Sequence, residues 1–491
     1  MATAVVLRSR PSIDSLKSTK SISTATSRSN IHHRLQKTLP TQDKDIWASN
    51  EGTKPKPLPA KFAELKKHLV KPEHYHAVQA SWDRLLVALE QRVKEIENKG
   101  PTAVPVVDFT EIQQSNGQFP TEIADLIRAA GCCVVRGVIP RAQALDWKAS
   151  LLSYVNRHPD IRRIPNDSDP QIYSTFWQKA QIEARSHPAV IRTQVAMSQL
   201  YTASGDTQVD LVNQALYADR WRVRRPGSVG MFQPHLDNGS IERWEDGEYG
   251  RVFRKIWEGK WEEYDAWDMD HRAEAVMDLY GGPGACSAFR SLQGLLSIDD
   301  NGPRCGTIQF LPDIKLSTAY ILLRPYFNDQ NKLDMDSTYF YGADPGQGQV
   351  VKDIWHPHLQ LNQTIISCPQ AEPGDYIFWH CDLVHKVEEQ HNGTNDSSVV
   401  YIPVVPLCAY NIGNLIDQRK AFLEGVPPPD MPPESESEGL EKEHEDRGTP
   451  DDVLTVEGRR LMGLEPFVEN EPGITSGQKA IREAANEALG F

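Results

Sequence analysis

At 491 residues the chain is long enough for one large decorated domain or for two, and its formal net charge of −14 argues against nonspecific binding to nucleic acid or anionic membranes. No window approaches the roughly 20 consecutive apolar residues of a membrane-spanning helix. Seven cysteines, an odd and low number for this length, fit thiols in a reducing compartment better than a disulfide framework.

Residues 1–55 are rich in Ser, Thr, Arg and Lys and lack apolar periodicity, which predicts a disordered or targeting tail. The absence of an apolar leader argues against secretion. The expected location is cytoplasmic, with mitochondrial import of the basic tail as the alternative. Residues 56–424 read as one domain. Val78, Trp82, Leu85, Leu86, Leu89, Val93 and Ile96 recur at helical steps between Lys61 and Lys99, and Gly100-Pro101 stops the pattern. A short strand is predicted at 104–109. A helix at 122–130 ends on Gly131, and a buried strand follows at 132–135, whose Cys132 and Cys133 belong to the core. Helices are predicted at 142–155 and 190–200, with a helix or turn at 211–217. Tyr173, Phe176 and Trp177 suit core packing before a pocket wall.

Asp219 to Gly227 predicts a strand with Arg220, Arg222 and Arg224 on one face. Three guanidiniums do not suit an apolar face, so they either meet solvent or await anions. Residues 239–280 mix Trp244, Phe253, Trp257, Trp261 and Trp267 with many acids, predicting an inserted helical or irregular segment able to cover a pocket. Strands are predicted at 289–298, 306–312, 363–368, 376–380 and 399–405, and an apolar run at 319–327 contains Arg324. A helix at 411–422 precedes an acidic, Pro-rich linker at 425–453 and a C-terminal helical segment at 454–491.

The chemistry concentrates at His235-Leu236-Asp237. Residues two apart on a strand point the same way, so His235 and Asp237 can share a metal. A third ligand, His385, follows Pro373-Gly374-Asp375 and an apolar strand. Two histidines and one carboxylate leave positions open on a metal, the arrangement of non-haem Fe(II) oxygenases. His380 is the alternative third ligand, but an offset of five from His385 puts the two on opposite faces of a straight strand. His356 and His358 are also spaced like ligands, though Pro357 lies between them. No Gly-x-Gly-x-x-Gly, Gly-x-Ser-x-Gly or phosphate-loop motif is present.

Several stretches carry a resemblance to a family. They are Gly131 to Pro140, Phe232 to Trp244, Gly306 to Pro312, Pro373 to His385, Tyr401-Ile402-Pro403 and the Pro-rich 427–431. The chain resembles the DUF1479 (YbiU-like) family within the 2-oxoglutarate- and Fe(II)-dependent dioxygenase superfamily. The resemblance implies a mainly β fold with α: a double-stranded β-helix (jelly roll) core with N-terminal helices, a long helical insertion and C-terminal helices. It also implies an iron-dependent oxidoreductase that uses 2-oxoglutarate and O2 on a small organic substrate, with His235, Asp237 and His385 on the metal. One departure stands out. The superfamily commonly places an Arg about ten residues past the distal histidine to hold the far carboxylate of 2-oxoglutarate. Here residues 395–398 contain none. Arg324, Arg222 and Arg224 are the candidate replacements, with Gln309 and Thr364 as further polar contacts. A cupin-like metalloenzyme without 2-oxoglutarate and a non-catalytic binding protein of the same fold remain as alternatives.

Overall fold

The computed structural model describes residues 55–165, 169–230, 232–281, 286–433 and 440–491. The tail expected over 1–55 lies outside them, apart from Pro55. The strands run, in chain order, β1 (Val106–Asp108), β2 (Cys132–Arg136), β3 (Arg163–Ile164), β4 (Ile172–Tyr173) and β5 (Val209–Gln214). They continue as β6 (Trp221–Arg224), β7 (His235–Leu236), β8 (Leu292–Ser297), β9 (Ile308–Phe310) and β10 (Gln349–Val350). The last are β11 (Ile366–Ser367), β12 (Tyr376–His380), β13 (His385–Val387), β14 (Ser397–Tyr401) and β15 (Pro406–Cys408).

Two sheets make the core. The larger has the order β1-β2-β12-β8-β14-β6-β4-β3, and the smaller β10-β7-β13-β9-β11. From β6 to β9, and again from β12 to β14, the chain alternates between the sheets, and these strands pair antiparallel. That alternation is the winding of a double-stranded β-helix, the jelly roll expected of the sequence. The larger sheet is buried along its centre. β8 and β12 are covered at every residue, so their sequences read as apolar runs without alternation.

The turns that drive this winding are chemically specified. Gly131 closes the helix Thr121–Ala130 at φ +77°, where a side chain would also strike Ile314 Cβ at 2.8 Å. Gly374 sits at φ +100° against the Ile139 carbonyl, leaving no room for a Cβ. Asp375 accepts from the amides of Gly137 and Glu372, both at 2.8 Å, and so acts as a turn former.

Helices back the sheets. The single helical pattern at 61–99 is two helices, Lys61–Leu69 and Tyr75–Lys99, because Pro72 opens a separate 3-10 turn between them. Trp82 of the second stacks on Phe327 and Tyr320, with ring centroids 4.4 and 5.2 Å away. The apolar run at 319–327 is largely the helix Ile314–Leu323. The stretch expected as helix or turn at 211–217 is instead β5, paired with β15. It packs under the C-terminal helix Ser476–Leu489, where the buried carboxylate of Asp210 meets Arg482 at 2.6 Å. The inserted segment 239–280 contains only short helices, and Trp244, Phe253, Trp257 and Trp267 are buried in the main core rather than lining a pocket. Tyr173, Phe176 and Trp177 are buried likewise.

The segment read as an acidic linker is docked where it is described. Met431, Glu441, His444 and Val453 are buried. The Glu441 carboxylate accepts from the amides of Phe176 (2.7 Å) and Trp177 (3.0 Å), while burial pushes its pKa up to about 7. A Glu-rich composition masks such docking, because one carboxylate aimed at two inward amides looks like any surface acid in sequence. Among the described residues no helix is long and apolar enough to cross a membrane.

Candidate metal centre and its cavity

His235 is directly opposite His385 in the β7/β13 pair, so both side chains leave the smaller sheet on the same face. Asp237 follows two residues after His235 on that face. The His385 Nε2 lies 3.4 Å from Asp237 Oδ2, and His235 Nε2 lies 3.9 Å from Oδ1. One ligand atom from each of the three residues falls within 4.8 Å of the others. Ligands around one ion at about 2.1 Å stand roughly 3 Å apart, so a small inward closure suffices.

The ring orientations suit a metal. His235 Nδ1 is 2.6 Å from the Gln233 carbonyl and His385 Nδ1 is 3.0 Å from that of Leu383. A carbonyl only accepts, so each Nδ1 carries the proton and each Nε2 presents its lone pair to the centre. Burial, with the neighbouring His385 second, brings His235 down to about 4, which keeps it neutral at physiological pH. Burial works to raise Asp237, but His385, His235 and Arg290 outweigh it and hold the carboxylate well below the usual range.

A cavity of about 220 Å³ opens beside these residues, between the two sheets. Phe232, His235, Ile308 and His385 line it from the smaller sheet and its approach. Arg222, Gln293, Leu295 and Trp379 line it from the larger. Arg290, Tyr217, Asp430 and Met431 complete one wall, and sequence reasoning did not select them. Arg290 had a readable signal, a charged residue at the start of an apolar strand. Asp430 and Met431 fall in the 427–431 stretch that carries the family resemblance, but nothing in it pointed to the cavity, which they reach from a segment distant in sequence.

The other predicted residues separate. Arg324 is outside the cavity: its guanidinium donates to the carbonyls of Trp355 (2.8 Å) and Phe327 (2.6 Å) and lies over the Tyr341 ring. Arg224 donates to the carbonyls of Gly306, Glu388 and Ser228, tying the larger sheet to the smaller. Gln309 bonds Ser367 and Thr364 bonds the Leu359 carbonyl, and neither lines the cavity. Of these polar candidates only Arg222 lines it. His356 is buried against Lys352 and His358 bonds Tyr320, so that pair does not converge on a site.

His380 is not on the strand of His385. The chain turns at 381–384, so His380 ends β12 in the larger sheet and His385 begins β13 in the smaller. The His380 ring is fully used: Nε2 faces the Ala266 carbonyl at 2.9 Å and Nδ1 accepts from the Asp382 amide at 3.0 Å. Burial, with Arg272 second, lowers its pKa to about 3. A second proton would set N–H against N–H. The folded state therefore binds fewer protons than the unfolded state, and stability falls as pH drops from about 6.5 toward 3. His380→Gln should flatten part of that slope in urea titrations. An unchanged slope would refute a neutral, buried His380.

A third grouping, His158, Asp160 and His444, is built differently. The two rings stack at 3.6 Å and 17°, and their Nε2 atoms face separate carboxylates, Asp446 and Asp160.

Residues 56–464 match the sequence profile of the Gig2-like family. The chain belongs to that family. YbiU of Escherichia coli K12 is 32% identical over 404 residues, covering 79% of this chain and 92% of that protein. The crystal structure of GlcNAc Inducible Gene 2 (DUF1479) from Candida albicans aligns with a TM-score of 0.81 at 36% identity, covering 89% of this chain and 96% of that one. The crystal structure of the hypothetical protein JW0805 from E. coli aligns at 0.71 and 30% identity, covering 83% and 98%. The DUF1479 resemblance read from the sequence is thus borne out, and Gig2-like relatives occur in a fungus and in a bacterium.

Proposed function

We propose that this Gig2-like protein is an Fe(II)- and 2-oxoglutarate-dependent oxygenase that oxidises a small organic molecule with O2. The observation that carries this reading is the His235–Asp237–His385 set, preformed on one face of the smaller sheet and open to a cavity. The donor set fits ferrous iron: two imidazole nitrogens and one carboxylate leave coordination positions for a chelating co-substrate and O2. When bound, iron and 2-oxoglutarate supply the electrons for O2 chemistry, the 2-oxo acid leaving as succinate and CO2.

The chain's own residues orient and shield. His235 and His385 offer Nε2 because backbone carbonyls hold their Nδ1 protons. Arg243 donates to the Asp237 carbonyl at 2.6 Å and fixes the strand end that carries the carboxylate. Phe232, Leu295, Ile308 and Trp379 give the cavity apolar walls that limit water.

The test is an anaerobic titration of purified protein with Fe(II) and then 2-oxoglutarate. The expected result is a visible metal-to-ligand charge-transfer band that needs both components. Iron binding without a band would replace this reading with a jelly-roll metalloenzyme that does not use 2-oxoglutarate.

A further inference from the structure

The arginine missing after the distal histidine leaves a question that the larger sheet answers. The stretch that would carry it, 395–398, runs into β14, and Val399, the next residue, pairs directly with Arg222 of β6. Paired residues on adjacent strands project from the same face. Arg222 therefore stands one strand over from the end of that stretch and lines the cavity that also holds the triad.

Its environment is that of a receptor without its ligand. Arg222 is only 3% exposed, yet its Nε and Nη2 are buried with no hydrogen-bond partner among the described residues. Leaving such a guanidinium unpaired is costly, so a buried one ordinarily meets an anion or carbonyls. Its two strand neighbours are provided for. Arg220 pairs with Asp219 at 3.3 Å and Arg224 meets backbone carbonyls. The charge beside it on the strand face is another cation: burial first and Arg222 second bring Arg224 down to about 10.

Among the other cationic groups of the cavity, Arg290 also has a buried Nε without a hydrogen-bond partner among the described residues, but it lies over the Tyr217 ring at 5.4 Å and has the carboxylates of Asp237 and Asp219 on its wall. Lys386 is 3.4 Å from Glu389. The triad and Arg222 belong to opposite sheets with the cavity between. A 2-oxo acid chelated at its first two carbons must reach across that gap, and a five-carbon chain extends its far carboxylate roughly 5 Å from the first.

We infer that Arg222 is the receptor for the distal carboxylate of 2-oxoglutarate, supplied from β6 in place of β14. This rests on the oxygenase reading above. A planar guanidinium with two free donors matches a carboxylate bidentately, which makes the site selective for a 2-oxo dicarboxylate over a 2-oxo monocarboxylate.

The experiment compares 2-oxoglutarate with 2-oxopentanoate, which has the same carbon chain without the far carboxylate. Both are titrated anaerobically into the Fe(II)-loaded full chain and read by the charge-transfer band. The wild type should prefer 2-oxoglutarate by roughly 10- to 100-fold, the range for a charge-assisted pair. Arg222→Met should remove most of that preference while binding 2-oxopentanoate as the wild type does, which also shows that the variant is folded. Arg222→Lys should keep part of it. Arg290→Met tests the other arginine of the cavity: a preference lost there and kept in Arg222→Met would put the receptor on Arg290. Should Arg222→Met not fold, Arg222→Gln carries the same comparison. An intact preference in the Arg222 variants overturns the assignment, as does its transfer to Arg290. No band with either acid in the wild type overturns the oxygenase reading and this subsite with it. Because the unpaired charge destabilises the ligand-free protein, Arg222→Met should leave its Tm unchanged or raised, whereas a structural arginine would lower it.

Discussion

Asp237→Ala is expected to abolish the iron-dependent chromophore and any iron-dependent turnover while the protein stays folded. Asp237 is the only carboxylate in the three-residue centre, and it faces the cavity with 29% of its side chain exposed. Its removal deletes the carboxylate and leaves two imidazoles 4.2 Å apart between ring centroids. Loss of a mere supporting partner of a metal ligand typically costs about 10- to 100-fold in metal affinity, so loss of the ligand itself should exceed about 100-fold. The fold should be spared because Arg290, which loses the charge of Asp237, keeps Asp219 on its wall and lies over the Tyr217 ring. The Asp237 backbone keeps its bond from Arg243, and β7 keeps its pairing with β10 and β13. Iron binding by calorimetry and the unfolding midpoint together check this. Wild-type iron affinity in the variant would remove Asp237 from the metal.

Asp382→Ala should act in the opposite way, on stability first. Asp382 is 1% exposed and lies between two buried guanidiniums. Arg243 donates to Oδ1 at 3.2 Å, while Arg272 Nη1 lies 2.7 Å from Oδ2, a charge contact rather than an aligned hydrogen bond. Tyr249 adds a donor at 3.2 Å. Removing the shared carboxylate leaves two cations buried without their counter-ion. Breaking a buried ion pair costs about 3–5 kcal/mol, and here two cations depend on one anion. The expected readout is a large fall in the denaturant midpoint at an unchanged m-value, or an insoluble product. A loss below about 1 kcal/mol would mean that the cations find solvent or other partners. Arg243 also holds the Asp237 carbonyl, so a folded Asp382 variant should bind iron more weakly than the wild type. The contrast between the two aspartates follows from what each neutralises: Asp237 a ligand shell that metal can complete, Asp382 a fixed pair of arginines.

Much of the site was legible because strand geometry is local. His235 and Asp237 had to share a face wherever a strand formed, and Pro373-Gly374-Asp375 announced the turn into β12. The turn glycines at 131 and 374 needed no partner to be recognised, since their backbone conformations are open mainly to glycine. The ambiguity between His380 and His385 was not local. It assumed one straight strand, whereas the chain changes sheets between them. The aromatic residues of 239–280 were equally unreadable as core or lining, because burial depends on which surface the insertion meets.

The sequence by itself carried the family resemblance, and the jelly-roll class came with it, while the shared face of His235 and Asp237 and the breaks between elements followed from side-chain period, turn chemistry and residue type. Only the tertiary structure decided the rest. It set His385 opposite His235, docked the acidic segment through Glu441, and sorted Arg220, Arg222 and Arg224. Their shared face was plain from alternation. Arg220 met its immediate neighbour Asp219, but that Arg224 met carbonyls while Arg222 kept Nε and Nη2 without a partner among the described residues depends on chain segments up to 165 residues away, and long-range packing is the property that local sequence does not encode.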